Sequence, residues 1–136
     1  MARSKYSSLQ EDINAIFASQ PWLDLQIETH PEGFVGNTYE KEYVVVTIIA
    51  SEPKTSITSV SGQILIDIYI PAGLGLKRAY EIADLLDEQM AGKVLYNTLA
   101  GTTQLGSSSL QGRGTDKDNQ SLYRAIYSIP FTFFGV

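Results

Sequence analysis

Residues 62–90 read GQILIDIYIPAGLGLKRAYEIADLLDEQM, and this stretch decides the fold. Isoleucine occupies every second position from Ile64 to Ile70, an alternation that predicts a strand with one buried face. After a proline and two glycines, apolar residues recur at helical spacing, namely Ala79, Ile82, Ala83, Leu86 and Met90. The stretch therefore predicts a strand, a tight turn and an amphipathic helix that folds back onto the sheet.

The turn in this stretch contains Pro71, Gly73 and Gly75. A glycine-rich turn that opens a helix can bind phosphate, because the first N–H groups of the helix have no partner within it. The dinucleotide fingerprint G-x-G-x-x-G would need glycine where Arg78 stands, and the sequence G-x-x-x-x-G-K-[ST] does not occur. We therefore interpret the turn as structural, with its glycines supplying positive φ angles, and we expect no nucleotide and no other cofactor.

The flanking segments predict a further helix and several further strands, among them short ones at Leu25–Glu28 and Val94–Leu99. The sequence SLQE at residues 8–11 fits a capping box that opens a first helix, and Pro21 ends it. Residues 42–50, EYVVVTIIA, are β-branched almost throughout and predict a strand that is apolar on both faces. Residues 121–136 predict a long closing strand that is an edge, or is bulged, at Pro130, since proline cannot donate to a ladder.

This order of elements predicts an α+β fold with a mostly antiparallel sheet and two main helices packed on one face. The absence of a repeat or a second core in the sequence predicts a single domain over residues 1–136. Residues 101–120, GTTQLGSSSLQGRGTDKDNQ, contain almost no large apolar side chain, so we predict a mobile loop there. Loops of this length inside a compact domain tend to be functional or to order on a partner.

Composition excludes several classes of function. The net charge of −5 disfavours broad contact with DNA phosphates, which needs a surplus of lysine and arginine. The chain has no cysteine, which excludes thiol catalysis and disulfides, and its single histidine excludes the histidine-rich zinc sites. The N-terminus lacks an apolar signal core, and no segment has the roughly 20 apolar residues of a membrane span. We expect a soluble protein used without export, with no membrane partner.

The titratable residues predict no catalytic or metal site. Asp84, Asp87 and Glu88 lie on the polar face of the second helix and are interpreted as surface charge. Asp67 falls on the polar phase of its strand and is expected to be exposed there. His30 has no neighbouring ligand at metal-binding spacing, and residues 112–120 lack the calcium pattern D-x-D-x-D-G. The sequence therefore predicts a protein that is not an enzyme.

The two-sided strand, the loop and the aromatic closing strand supply a candidate interface. Tyrosine, of which the chain has eight, is enriched at interfaces, although aromatic residues on a strand are also common in cores. Two basic residues in the loop are too few for a nucleic-acid site. The candidate interface residues are Tyr43, Val45, Leu110, Arg113, Asp116, Lys117, Tyr123 and Tyr127.

The chain resembles the tail terminator proteins of long-tailed bacteriophages over nearly its whole length. The resemblance rests on the helix sequence LQEDINAIFASQPW, the strand EYVVVTII, and a strand-turn-helix pattern made by Gly62, Ile64, Ile66, Ile68, Pro71, Gly73, Gly75, Ala79 and Ala83. The resemblance implies a structural protein that forms a six-fold ring on the tail tube, stops tube polymerisation and provides the surface on which the head docks.

The same resemblance implies the partners and the location of the protein. The partners would be further copies of the chain in a homohexamer, the tail tube protein and a head–tail connector protein. DNA would pass through the lumen of the ring without specific binding, and the acidic balance of the chain suits that passage. The protein would be found in the virion, at the head-proximal end of the tail, and in the host cytoplasm during assembly.

Two alternatives remain open from the sequence. One is another phage neck protein, such as a head–tail connector, that shares the same broad architecture. The other is a small ligand-binding domain that holds an anion at Gly73 and Gly75.

Overall fold

The computed structural model describes residues 5–31, 42–50, 59–71, 73, 75–98, 101–115 and 122–135. The helices are α1 (Lys5–Ala18), α2 (Gln20–Leu23) and α3 (Gly75–Met90). The strands are β1 (Thr29–Pro31), β2 (Tyr43–Ala50), β3 (Val60–Pro71), β4 (Val94–Thr98), β5 (Gly101–Leu105), β6 (Ser109–Thr115) and β7 (Leu122–Gly135). None of the described helices is long and apolar enough to cross a membrane.

The seven strands form one mixed sheet in the order β1-β2-β3-β7-β5-β4, with β6 also paired to β7. The strands β1 and β2 run parallel, and every other described pair is antiparallel. The predicted fold class, a mostly antiparallel sheet with two main helices on one face, is therefore wrong: the sheet is mixed and there are three helices. A strand of three residues is too short to show an alternation, and Pro21 lies at the start of α2 rather than only ending α1.

The main core lies where α1, α2 and α3 meet one face of the sheet, here called the helix face. The four isoleucines Ile64, Ile66, Ile68 and Ile70 are fully buried on this face, as the alternation predicts. The predicted stripe of α3 is buried too, and it shares one cluster with Leu9, Ile13, Ile16 and Trp22. Burial of each such side chain contributes roughly 1.5–3 kcal/mol of transfer free energy, so this cluster is the main stabilising feature of the fold.

The opposite face of the sheet carries a second, smaller cluster. It consists of Tyr43, Val45 and Leu122, with Tyr69 packed against them. The rings of Tyr43 and Tyr69 are stacked, with centroids 4.6 Å apart and an interplanar angle of 15°. The two-sided apolar pattern of residues 43–50 thus corresponds to two separate clusters within the same chain.

Most of the predicted loop at 101–120 is strand. Its residues form β5 and β6, which pair with the two halves of one side of β7, while residues 116–121 lie outside the described residues. Small residues are needed here because a side chain at Gly101 would meet the Phe134 carbonyl and the Phe133 ring. Backbone pairing with β7 offsets the entropy of ordering this segment, so residues with a loop-like composition form strands here.

Pro130 explains why β5 and β6 are two strands. Its carbonyl accepts a hydrogen bond of 3.0 Å from the Gly106 backbone N–H, on the side of β7 where β5 and β6 lie. The nitrogen of a strand residue points to the same side as its carbonyl, and proline has no hydrogen there. Pairing is therefore interrupted at residues 106–108. At Pro130, β7 therefore has no paired strand residue on this side, as the prediction of a local edge expects, although strands flank β7 on both sides elsewhere.

Candidate functional site

The predicted turn forms without the backbone geometry that the sequence suggested. Pro71 is the last residue of β3, Gly75 is the first residue of α3, and Gly73 lies exposed between them. Gly73 does not have a positive φ angle, and a Cβ atom there would meet nothing within 4 Å. Among the described glycines, Gly92 and Gly114 are the ones with positive φ. The role assigned to Gly73 is therefore wrong, and its position requires no glycine.

Asp87 anchors the break between β5 and β6 to α3. Its Oδ1 atom accepts a hydrogen bond of 2.6 Å from the Tyr127 hydroxyl and one of 2.5 Å from the Ser108 hydroxyl. Burial, together with the bond to Asp87, raises the pKa of Tyr127 well above its usual value. Asp87 is therefore a structural acceptor, and its interpretation as surface charge is wrong.

Two further aspartates, Asp12 and Asp67, also serve structural contacts. The buried Asp12 of α1 accepts a hydrogen bond of 2.6 Å from the Thr103 hydroxyl of β5. Asp67 lies 2.9 Å from the Arg124 guanidinium across β3 and β7, so its predicted exposure is also wrong. Each carboxylate therefore has a partner that fixes a strand or a helix, rather than a second carboxylate with which to share acid–base chemistry.

Further polar contacts fix the ends of the sheet. Arg78 of α3 makes two bonds of 2.7 and 2.8 Å to the carboxylate of Glu42, and this contact raises the pKa of Arg78. His30 Nε2 lies 2.9 Å from Glu28 Oε2. Within the described residues no group of three or more histidine, cysteine, aspartate or glutamate side chains is arranged to hold a metal ion.

The candidate interface residues are scattered by the fold. Tyr43, Val45 and Tyr127 are only 2%, 7% and 1% exposed, so they offer almost no surface to a partner. Leu110 and Tyr123 are half-buried against the core. Arg113 is exposed on β6. Asp116 and Lys117 lie outside the described residues. Among the described members of this set, Arg113 is the one well placed for contact with another molecule.

A groove of about 720 Å³ lies between α1 and the β1–β2 end of the sheet. Its floor includes Val46 and Ile48 of β2, and Phe17 stands on the α1 side. The remaining lining residues are Tyr6, Leu9, Gln10, Asn14, Ala18, Thr29, His30, Pro31 and Ala50. The groove is therefore largely apolar and lies directly beneath the outer edge of β2.

That edge of β2 is only partly paired. β1 pairs with Val44, Val45 and Val46, and no described strand pairs with Thr47–Ala50 on the same side. On the other side of the sheet, β6 pairs with β7 alone among the described strands. Strand edges of this kind are templates for pairing with another chain. Within the described residues, one side of the sheet ends in the partly paired edge of β2 and in β1, and the other side ends in β6 and in β4, which pairs with β5 alone.

Two exposed apolar side chains lie on α3, and one of them lies close to β6. Leu76 and Tyr80 of α3 are 40% and 57% exposed. Leu76 lies close to β6, since its Cδ2 atom would be 3.4 Å from a Cβ atom built on Gly112. The sequence carries a signal for this pair, because Leu76 and Tyr80 are four residues apart and lie off the buried stripe of α3.

Comparison with known proteins identifies the fold and nothing beyond it. A solved structure aligns with 96% of this chain and 94% of its own, with a TM-score of 0.61 and 12% sequence identity. No family model and no curated protein matches the chain. An identity this low shows a shared fold alone, so function has to be argued from the site.

Proposed function

We propose that this chain is a structural virion protein of long-tailed bacteriophages, which forms a ring that caps the tail tube. In this role it stops tube polymerisation and provides the surface on which the head docks. Its partners are further copies of itself, the tail tube protein and a head–tail connector protein. It acts in the virion at the head-proximal end of the tail, without catalysis and without a cofactor.

One observation carries the proposal: among the described strands, the two sides of one sheet have unlike edges that are not fully paired. A cyclic ring requires two different surfaces on each subunit, one that fits the other on the next copy. The edge of β2 lies above an apolar groove, and the edge of β6 lies close to Leu76, which is exposed on α3 together with Tyr80. The carboxylates of Asp12, Asp67 and Asp87 serve structural contacts instead of facing a shared pocket.

The net charge of −5 supports a ring through which DNA slides. Binding to DNA grows with each phosphate that lysine or arginine neutralises, so a chain with more acidic than basic residues binds DNA weakly. Weak binding favours passage of the genome over retention of it.

The proposal is tested by following polymerisation of the tail tube protein encoded by the same genome. We expect that adding this chain before elongation shortens the tubes, and that electron microscopy shows a ring at one tube end. Light scattering over a range of concentrations should show the mass of six chains, alone or on the tube. Tubes of unchanged length and without a ring, at an excess of the chain, would refute the proposal.

A head–tail connector would give a different result in the same experiment. It would bind tubes that have already stopped growing, or bind heads, without changing the tube length. A small ligand-binding domain would instead show a raised melting temperature with nucleotide or phosphate, because a ligand that binds the native state stabilises it. Both alternatives are thus separated from the proposed function by direct measurements.

A further inference from the structure

We infer that neighbouring subunits of the ring join by antiparallel pairing of β6 of one copy with β2 of the next, which seats Leu76 and Tyr80 in the groove beside α1. The inference rests on the proposed function, since it names the contact that builds the ring. In this arrangement the groove is occupied by a second copy of this chain.

Within the described residues, no strand pairs with the end of β2 on the required side. The Val44 N–H donates a hydrogen bond of 2.9 Å to the Glu28 carbonyl, so it points toward β1. The N–H and C=O groups of every second strand residue point to the same side of the strand. The backbone groups of Ile48 and Ala50 therefore point to the same edge of β2 as those of Val44. Beyond Pro31 no described strand meets them. This edge therefore has backbone donors and acceptors to offer to an incoming strand.

Strand directions fix the pairing as antiparallel. β2 runs opposite to β3, β3 opposite to β7, and β7 opposite to β6, so β6 runs opposite to β2 within one subunit. A ring whose axis lies along the strands keeps the strand directions of every copy the same. β6 of one copy then meets β2 of the next in antiparallel orientation, the slightly more stable of the two pairings.

The groove and the exposed apolar pair lie on the same face of the sheet. Val46 and Ile48 pair with Ile66 and Ile64, so they share the helix face with these isoleucines. Gly112 pairs with Ala125, which in turn pairs with Ile68, so the contact of Gly112 with Leu76 is on the helix face too. When the sheet continues from one copy to the next, Leu76 and Tyr80 are carried under the β2 edge and into the groove.

The size of the groove also fits. A volume of about 720 Å³ is within the range of pockets that hold small-molecule ligands, so two side chains have room there.

Disulfide trapping tests the contact directly, because the chain contains no cysteine of its own. Ile49 of β2 and both Ser109 and Gln111 of β6 are exposed and share the face opposite to the helices. Ile49→Cys is combined with either Ser109→Cys or Gln111→Cys, since two partners allow for pairing that is shifted by two residues. The matched control combines Ile49→Cys with Gln104→Cys, an exposed residue of β5, which lies between β7 and β4.

We expect at least one double variant to give a ladder of covalent dimers, trimers and larger species on a non-reducing gel. The control pair and each single variant should stay as single chains, and a mixture of the two single variants should give a mixed dimer only. A homodimer of Ile49→Cys alone would show contact between like edges and would overturn the inference.

A second variant tests the groove without any cross-link. Tyr80→Arg should raise the dissociation constant for self-association by about tenfold or more, because it removes an aromatic anchor from the centre of the contact. Leu23→Arg makes a similar change at another exposed apolar residue, outside the groove and both edges, and should leave association unchanged. Light scattering on both variants and on the unaltered chain measures the dissociation constant for self-association. A Tyr80→Arg variant that associates as tightly as the unaltered chain would contradict the inference.

The results separate this inference from the proposed function. If the chain caps tubes but no edge pair cross-links, the function stands and the interface is wrong. If the ladder forms but tube length does not change, the interface stands and the function is wrong. A chain that stays monomeric and uncross-linked even with tubes present overturns the interface, and the tube lengths then decide the function.

Discussion

The two faces of strands β2, β3 and β7 bury their side chains in different ways. On the helix face, Ile64, Ile66, Ile68 and Ile70 are fully buried in a continuous core that includes all three helices. On the opposite face, burial is confined to a small cluster around Tyr43, and the rest mixes apolar residues with an ion pair between Asp67 and Arg124. The helix face therefore supplies most of the stability, while the opposite face combines modest packing with polar contacts.

The largest expected effect separates the two faces at adjacent residues of β3. Ile66→Ala should lower the free energy of unfolding by about 2–5 kcal/mol, because it leaves a cavity in the main core. Leu65→Ala, on the opposite face and only half-buried, should cost clearly less. Urea unfolding of both variants measures the difference. Equal losses of unfolding free energy in the two variants would mean that the two faces contribute alike to stability.

Asp87 tests whether polar contacts on the helix face matter more than those on the opposite face. Asp87→Ala should cost about 1–3 kcal/mol, because it removes the acceptor of the buried Tyr127 hydroxyl as well as that of Ser108. Tyr127→Phe in the Asp87→Ala background should recover part of the loss, since it removes the hydroxyl that has lost its acceptor. Urea unfolding of the single and double variants gives the coupling, and strictly additive losses would contradict the shared hydrogen bond.

Alkaline pH offers a third test on the helix face. The pKa of Tyr127 is raised in the folded chain, so above pH 10 the unfolded state loses this proton while the folded state keeps it. Stability should therefore be fully present below pH 10 and fall above it, by up to about 1.4 kcal/mol per pH unit for this one group. Unfolding measured from pH 9 to 11 should show a steeper decline in the unaltered chain than in Tyr127→Phe. Parallel declines would contradict the assignment.

The smallest expected effect lies on the opposite face. Asp67→Asn should cost no more than about 1 kcal/mol, because both partners of the ion pair with Arg124 are partly exposed to water. The loss should shrink in 1 M salt, which screens partly exposed charges. Urea unfolding at low and high salt measures it, with Ile66→Ala as the control whose cost is not reduced by salt. A large, salt-independent loss would show that this contact behaves as a buried one.

Much of the main core could be predicted from the sequence, because alternation and helical spacing are local. The isoleucine face of β3 and the stripe from Ala79 to Met90 are both buried as predicted. The mixed character of the sheet could not be predicted, since β1 has three residues and its parallel pairing depends on a distant strand. Polar and glycine-rich residues 101–115 resemble a loop because their order comes from pairing with β7 rather than from their own side chains.

The candidate site was less predictable for a related reason. Tyr127 and Asp87 are 40 residues apart in sequence. The alternation of the closing strand indicates a core position for Tyr127, but the acceptor role of Asp87 has no local signature. The groove forms between α1 and β2, and its shape depends on how the two elements pack. Leu76 and Tyr80 are the exception, because two apolar residues on the polar side of an amphipathic helix can be recognised without a structure.

Pro130 also fixes the register in which β5 and β6 pair with β7. A slip of one residue would turn Thr103 and Leu105 to the wrong face of the sheet. A slip of two residues would keep each side chain on its face of the sheet, but it would place a paired residue opposite Pro130. The carbonyl of that paired residue would then have no donor on β7, because proline has no N–H. The gap at residues 106–108 therefore fits one alignment of the segment, and the hydrogen bond from Ser108 to Asp87 ties that alignment to α3. A segment composed mainly of glycine, serine, threonine and glutamine, which would otherwise slide easily, is thereby given a single position.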